Sequence, residues 1–236
     1  SAVSQDKDKD SPVSIPMFYG FYGYQWPGAD MAERFGSNSV IGPGFLWKTK
    51  TNWLLGAEYS YIFGNNVKYG FEILEGIMTS TGNIISGDGT PALVALFERG
   101  YTISGRVGKL IPALGHDKNS GFFFILGAGY ISHKIRIDVE NNSAPQLKGD
   151  YGRGYDRLSG GFLLSQSVGY MYFGRHNLVN FTIAFDVYEG FTRGYREYLF
   201  DTRQPGDEKR FDLLFGPRVT WMIPLRKRMP REFYYY

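Results

Sequence analysis

Hydrophobic and polar residues alternate along most of this chain with a period of two. Successive side chains of a β-strand point to opposite faces, so such alternation marks strands with one apolar face. Eight segments carry it, bounded by turn residues. They cover residues 15–26, 39–48, 53–63, 94–110, 121–139, 158–173, 179–193 and 211–225. The third is the clearest: Trp53, Leu55, Ala57, Tyr59, Tyr61 and Phe63 share one parity, and Gly56, Glu58 and Ser60 share the other. The fourth sets Phe97, Tyr101, Ile103 and Val107 against Glu98, Thr102, Ser104 and Arg106. In the fifth, Phe123, Ile125, Ile131, Ile135 and Ile137 form the apolar set. In the seventh and eighth, Thr182, Ala184 and Asp186, then Asp212, Gly216, Arg218 and Thr220, make up the polar parity.

A soluble β-sandwich would alternate as well, its apolar faces turned inward. Two features favour a transmembrane barrel. The connections alternate in length: 48–52, 111–120 and 174–178 are short, whereas 27–38, 64–93, 140–157 and 194–210 are longer. Short periplasmic turns and long extracellular loops give this asymmetry in outer-membrane barrels. Aromatic residues also gather at segment ends, at Trp26, Trp47, Trp53, Phe63, Tyr172, Phe173, Phe211 and Trp221, as interfacial girdles require. The expected fold is an all-β, eight-stranded antiparallel transmembrane β-barrel over 15–225. A polar periplasmic segment (1–14) would precede it and a basic, aromatic periplasmic tail (226–236) would follow.

Composition sharpens this. The 236 residues include 31 Gly and 41 aromatic side chains (18 Tyr, 19 Phe, 4 Trp), choices that disfavour helix interiors and suit strands. A net charge of +3 is too small to argue for nucleic acid as a partner. The chain has no cysteine, which excludes disulfides, thiolate metal sites, a thiol nucleophile and a lipidated cysteine. The polar start, with Gln5-Asp6-Lys7-Asp8-Lys9-Asp10, lacks the apolar core of a signal peptide, as expected of a mature, processed chain or of a cytosolic one.

A barrel of eight strands is just wide enough for side chains to fill. Counting residues from the short turns puts Glu58 level with Arg106, and Asp186 level with Arg218. All four have inward parity, and a buried charge needs a partner. Two structural lumen pairs, Glu58–Arg106 and Asp186–Arg218, are therefore expected to plug the interior.

Catalytic chemistry is thin. His116 and His176 fall in short turns, and His133 lies beside Ser132 in the outer half of segment five, where solvation at the interface accounts for it. No Ser–His–acid spacing, HxH or HExxH occurs, so neither a catalytic residue nor a metal or cofactor is expected. Gly127-Ala128-Gly129 and Gly152-Arg153-Gly154 are not followed by the helix a phosphate loop needs. The longest connection carries Phe71, Ile73, Leu74, Ile77 and Met78, which are too apolar for a solvated loop. Either they pack over the barrel mouth or they meet a partner. The tail Arg226-Lys227-Arg228-Met229-Pro230-Arg231-Glu232-Phe233-Tyr234-Tyr235-Tyr236 could set its basic run on leaflet phosphates and its Phe233, Tyr234, Tyr235 and Tyr236 on a partner. Its terminal aromatic resembles the assembly signal of outer-membrane proteins, displaced beyond a proline-broken linker.

The motifs Asn119-Ser120-Gly121, Leu126-Gly127-Ala128-Gly129-Tyr130 and His133-Lys134-Ile135 carry a resemblance, as do 210–216, 221–224 and the terminal tyrosines. Over residues 18–236 the chain resembles a family of small outer-membrane β-barrel proteins of the Bacteroidota. The resemblance implies a non-enzymatic integral outer-membrane protein with periplasmic termini. Its surroundings would be outer-membrane lipid and lipopolysaccharide. Barrels of this kind serve as accessory or scaffold subunits of outer-membrane protein assembly or secretion machines, with other barrel, lipoprotein or periplasmic subunits as partners. A stand-alone porin-like barrel and a lipid-A-modifying enzyme are the alternatives.

Overall fold

The structure, a computed structural model, describes residues 13–112, 119–139, 144–147, 149–174 and 180–225. Eight long strands close into one antiparallel barrel. They are β1 (Ile15–Gly28), β2 (Asn38–Lys48), β3 (Trp53–Gly64), β4 (Val94–Pro112), β5 (Gly121–Val139), β6 (Ser159–Phe173), β7 (Asn180–Gly194) and β10 (Lys209–Pro224). Each pairs with its sequence neighbour, and β1 pairs with β10 to close the ring. A short hairpin of β8 (Arg196–Leu199) and β9 (Gln204–Gly206) lies in the last long connection. No helix among the described residues is long and apolar enough to cross a membrane.

The barrel is inside out relative to a soluble β-protein. Along β3 the exposed positions are the large apolar ones, Trp53, Leu55, Tyr59 and Tyr61, and the buried ones include Glu58 and Ser60. The same holds around the ring, where Phe18, Ile103, Phe162, Val168, Ile183, Val219, Trp221 and Ile223 all face outward. A continuous apolar exterior around a polar interior is stable only with hydrocarbon outside, and closure leaves no unpaired strand edge for lipid to meet. The chain is a transmembrane β-barrel.

Strand five corrects the expected facing. Phe123, Ile125, Ile131 and Ile135 point into the barrel, and Phe122, Phe124 and Leu126 meet lipid. Both parities of this strand are apolar, so alternation alone does not choose between them. The interior also has apolar layers, which the inward set fills. Phe173 is likewise buried inside rather than part of the aromatic girdle.

From the short-turn end upward, the interior begins with an apolar layer of Ile15, Met17, Leu46, Leu54, Leu110, Phe123, Met171 and Met222. Beside it Lys48 turns inward and its Nζ donates to Asn119 Oδ1 at 2.9 Å. A charged layer follows, then a histidine–carboxylate layer, then a cap. Glycine makes room where the interior is tightest. A Cβ at Gly44 would stand 2.1 Å from Cζ of Tyr19, so only glycine on β2 lets that ring lie across the lumen.

The long connections build the cap. After β1, Ala29 takes a positive φ of 49° and turns the chain into α1 (Ala29–Arg34), whose Met31 is buried, as is the following Phe35. Asp30 ties the helix to the rim, its Oδ2 accepting from Phe211 N at 2.7 Å. The connection after β3 crosses it through Gly36 N to Asn66 O and Lys68 N to Arg34 O, each 2.8 Å. Its 3-10 helix, Gly70–Ile77, buries Ile73 and Leu74 in the core. The connection after β5 carries α2 (Gly149–Arg153) and is joined to the β8–β9 hairpin by two ion pairs, Arg157–Asp201 and Arg196–Asp156.

Candidate functional site

The charged layer lies midway along the strands and is assembled from β1, β3, β4, β6, β7 and β10. Glu58 of β3 is its hub. Its carboxylate accepts from Tyr19 OH at 2.7 Å and from Arg218 Nη1 at 3.0 Å, and it pairs with Arg106. Arg218 Nη1 also reaches Asp186 Oδ2 at 3.0 Å. Asp186 in turn accepts from Ser167 Oγ at 2.6 Å and Tyr188 OH at 3.0 Å. The Arg218 guanidinium lies over Phe21, its Cζ 3.6 Å from the ring centroid. The structure thus places Glu58 against Arg106 and Asp186 against Arg218. It also joins the two pairs through the Glu58–Arg218 contact, which counting along single strands could not reveal because β3 and β10 are not neighbours.

Two carboxylates and two guanidiniums balance in charge, and all four side chains are almost fully buried. Buried charges are stable only when paired and hydrogen-bonded, and a cross-lumen network meets that condition from several strands at once. The lumen at this height is filled with side chains, with a small cavity among Tyr19, Phe123, Ile125, Met171 and Arg218.

Nearer the loops, His133 sits inside the barrel with its side chain fully buried. It is not at the lipid interface, because it shares the inward parity of Ile131 and Ile135. Its Nε2 is 2.8 Å from Asp212 Oδ2, and Phe35 lies edge-on to its ring at 5.7 Å. Thr192 donates to the same carboxylate, and Arg210 Nη2 lies 3.4 Å from Oδ1. Glu98 is held by Asn38 Nδ2 at 3.0 and 3.1 Å. Sequence reasoning placed Glu98 and Asp212 on the polar parity but did not bring either to a partner across the lumen. The His133–Asp212 contact is half of a nucleophile-activating relay. Among the described residues the other half is missing, since the ring Nδ1 meets no hydrogen-bonding group there. Among the described residues no three His, Cys, Asp or Glu side chains converge on a metal position.

In the cap, Arg34 Nη1 donates to Ser159 Oγ at 2.9 Å. Burial lowers its guanidinium to about 10, with the like charges of Arg210 and Arg157 adding to the effect. Ile73 and Leu74 are buried beneath this cap, out of reach of another protein, because the loop folds back over the mouth. Ile77 and Met78 are half-buried against the same core. The side chain of Phe71 and the tail residues Phe233, Tyr234, Tyr235 and Tyr236 lie outside the described residues, as do His116 and His176.

The barrel belongs to the outer-membrane type, with its interior closed by paired charges. Among solved structures the chain is similar to neisserial surface protein A, with 8% identity, a TM-score of 0.45, and 88% of this chain and 96% of that one covered. It is also similar to Ail, the attachment invasion locus protein of Yersinia pestis, with 10% identity, a TM-score of 0.43 and coverage of 89% and 99%. A third is the outer membrane protein OprG from Pseudomonas aeruginosa, with 10% identity, a TM-score of 0.37 and coverage of 90% and 97%. No family model matches the chain, and no curated protein sequence does.

Proposed function

We propose that this chain is a non-conducting, non-enzymatic barrel of the bacterial outer membrane, with periplasmic termini, acting as an accessory or scaffold subunit of an envelope machine for outer-membrane protein assembly or secretion. The observation that carries this reading is the Glu58–Arg106–Arg218–Asp186 layer, which fills the lumen where a channel would need to be open. A barrel with a filled lumen, and with no complete catalytic set among the described residues, has its exterior, its loops and its tail left to work with. The motif resemblance to small Bacteroidota barrels supports the same role and the same lineage. The apolar belt supports a place in outer-membrane lipid, and lipoprotein or periplasmic subunits are the expected partners.

The test is affinity purification of tagged protein from native outer membranes in mild detergent, read by mass spectrometry. Stoichiometric recovery of a large barrel with lipoprotein or periplasmic subunits is the expected result. Recovery of the protein alone would overturn the subunit reading.

A further inference from the structure

The exterior at the loop end sets like charges opposite each other across two ladders, and of the four side chains only Arg99 is also held by the fold, its Nη1 donating to Glu98 O at 2.6 Å and Gly64 O at 3.3 Å among the described residues. On β4 and β5, Arg99 stands directly opposite Lys134 in the ladder. On β7 and β10, Arg193 stands directly opposite Lys209. All four side chains have outward parity; Lys134, Arg193 and Lys209 are exposed, and Arg99 is half-buried. Like charges facing each other across a ladder repel. Among the described residues no carboxylate lies within ion-pair distance of any of the four. Arg136, two positions beyond Lys134, has its own partner in Asp138 at 3.7 Å. Glu189 faces outward two outward positions below Arg193 and is held by Gln166 at 3.4 Å, and Glu208 is exposed next to Lys209.

Each like-charge pair sits immediately above lipid-facing aromatics. Phe191 and Phe211 pack at 5.4 Å under Arg193 and Lys209. Tyr101 and Tyr130 pack at 6.2 Å under Arg99 and Lys134. Between the pairs, Tyr130 OH donates to Tyr195 OH at 3.3 Å over the Gly160 position of β6. Lys134 and Arg193 are two strands apart and offset by two residues along the strand, about 12 Å at the backbone. Cations at the rim of an apolar belt, with hydroxyls between them, match a ligand that has acyl chains below and phosphate on a sugar above.

We propose that the face from β4 to β10 across β5, β6 and β7 binds the phosphates of an anionic glycolipid of the outer leaflet, through Arg99, Lys134, Arg193 and Lys209. This rests on the orientation in the proposed function, with the loop end outside. The bound phosphates offset the repulsion within each pair, and the acyl chains lie on the aromatic belt.

The experiment uses the full chain folded in detergent. It compares bisphosphorylated lipid A, the same lipid after phosphatase treatment, and inorganic phosphate as probes, read by native mass spectrometry and titration. The fourfold variant Arg99→Gln, Lys134→Gln, Arg193→Gln, Lys209→Gln is set against Lys50→Gln at the opposite end. Wild type and Lys50→Gln are expected to prefer the phosphorylated lipid. The fourfold variant is expected to bind it on the order of a hundredfold more weakly. The threefold variant Lys134→Gln, Arg193→Gln, Lys209→Gln, which keeps the Arg99 bonds to Glu98 O and Gly64 O, should have an equal or higher lipid-free thermal midpoint, because repulsion is removed; a purely structural role would lower it. Equal binding of the two lipid forms, binding by the fourfold variant within about twofold of wild type, or full competition by inorganic phosphate alone would overturn the site.

Orientation is read separately. The chain has no cysteine, so Thr202→Cys gives a single label position for an impermeant maleimide on intact cells. Absence of labelling overturns the outer-leaflet assignment together with the orientation in the proposed function. Labelling combined with loss of lipid discrimination overturns the lipid site alone.

Discussion

At the scale of single residues, Glu58 is the side chain on which the interior turns. It holds two guanidiniums and a phenol, so its neutralisation strands positive charge in a filled, water-poor lumen. Glu58→Gln should therefore destabilise the barrel by about 3–5 kcal/mol in denaturant unfolding from detergent or vesicles. The double variant Glu58→Leu with Arg106→Leu should recover a large part of that loss, because it removes both charges rather than one. Additive costs for the two positions would contradict the coupling drawn from the geometry. The position of Glu58 was legible in the sequence through parity and distance from a turn. Its bond to Arg218 was not, because parity says which way a side chain points and nothing of how far it reaches across a ring.

At the scale of elements, the strands and the connections behave as different materials. The strands are bound to both neighbours along their length, and their bounds follow the alternation of the sequence to within a few residues. The cap has no continuous ladder: it is held by a carboxylate on a strand backbone, two backbone bonds between the first two long connections, the Arg34–Ser159 bond, two loop–loop ion pairs and a few buried apolar side chains, among the described residues. Ile73→Asp with Leu74→Asp should loosen the cap and leave the ring intact. Hydrogen exchange should rise at the backbone amides of 65–93 and α1, with β3 to β7 still protected. Exchange rising equally in the strands would mean that cap and ring unfold as one unit. This part of the molecule was only half legible. The apolar residues of the long connection had to be covered, but nothing in a loop without periodicity says by what. Strand β5 was misread for a related reason: with apolar residues on both parities, the choice of facing belongs to the layers it meets, Met17 and Leu46 below and Phe35 above.

At the scale of the whole molecule, the layers stack into a stopper. An apolar plug, a neutralised charge layer, the His133–Asp212 layer and the cap follow one another along the axis. Wild-type protein in planar bilayers should show no unitary conductance steps, with or without the cap variants. Reproducible steps in the wild type would contradict a filled lumen. The charge-pair layer carries this expectation, since the cap alone could open on the microsecond-to-millisecond scale of loop motion.

The seam between β1 and β10 has a consequence of its own. The first and last strands pair from Met17 opposite Pro224 to Gly28 opposite Leu213, and Leu225 N still donates to Pro16 O at 2.8 Å. The ring is thus fastened by residues some two hundred positions apart, and a nascent chain missing only β10 exposes two raw edges to hydrocarbon. Such a chain cannot enter the bilayer strand by strand as it is made. The ring closes only once β10 is in place beside β1, so a lesion in the last strand of the ring is as damaging as one in the first.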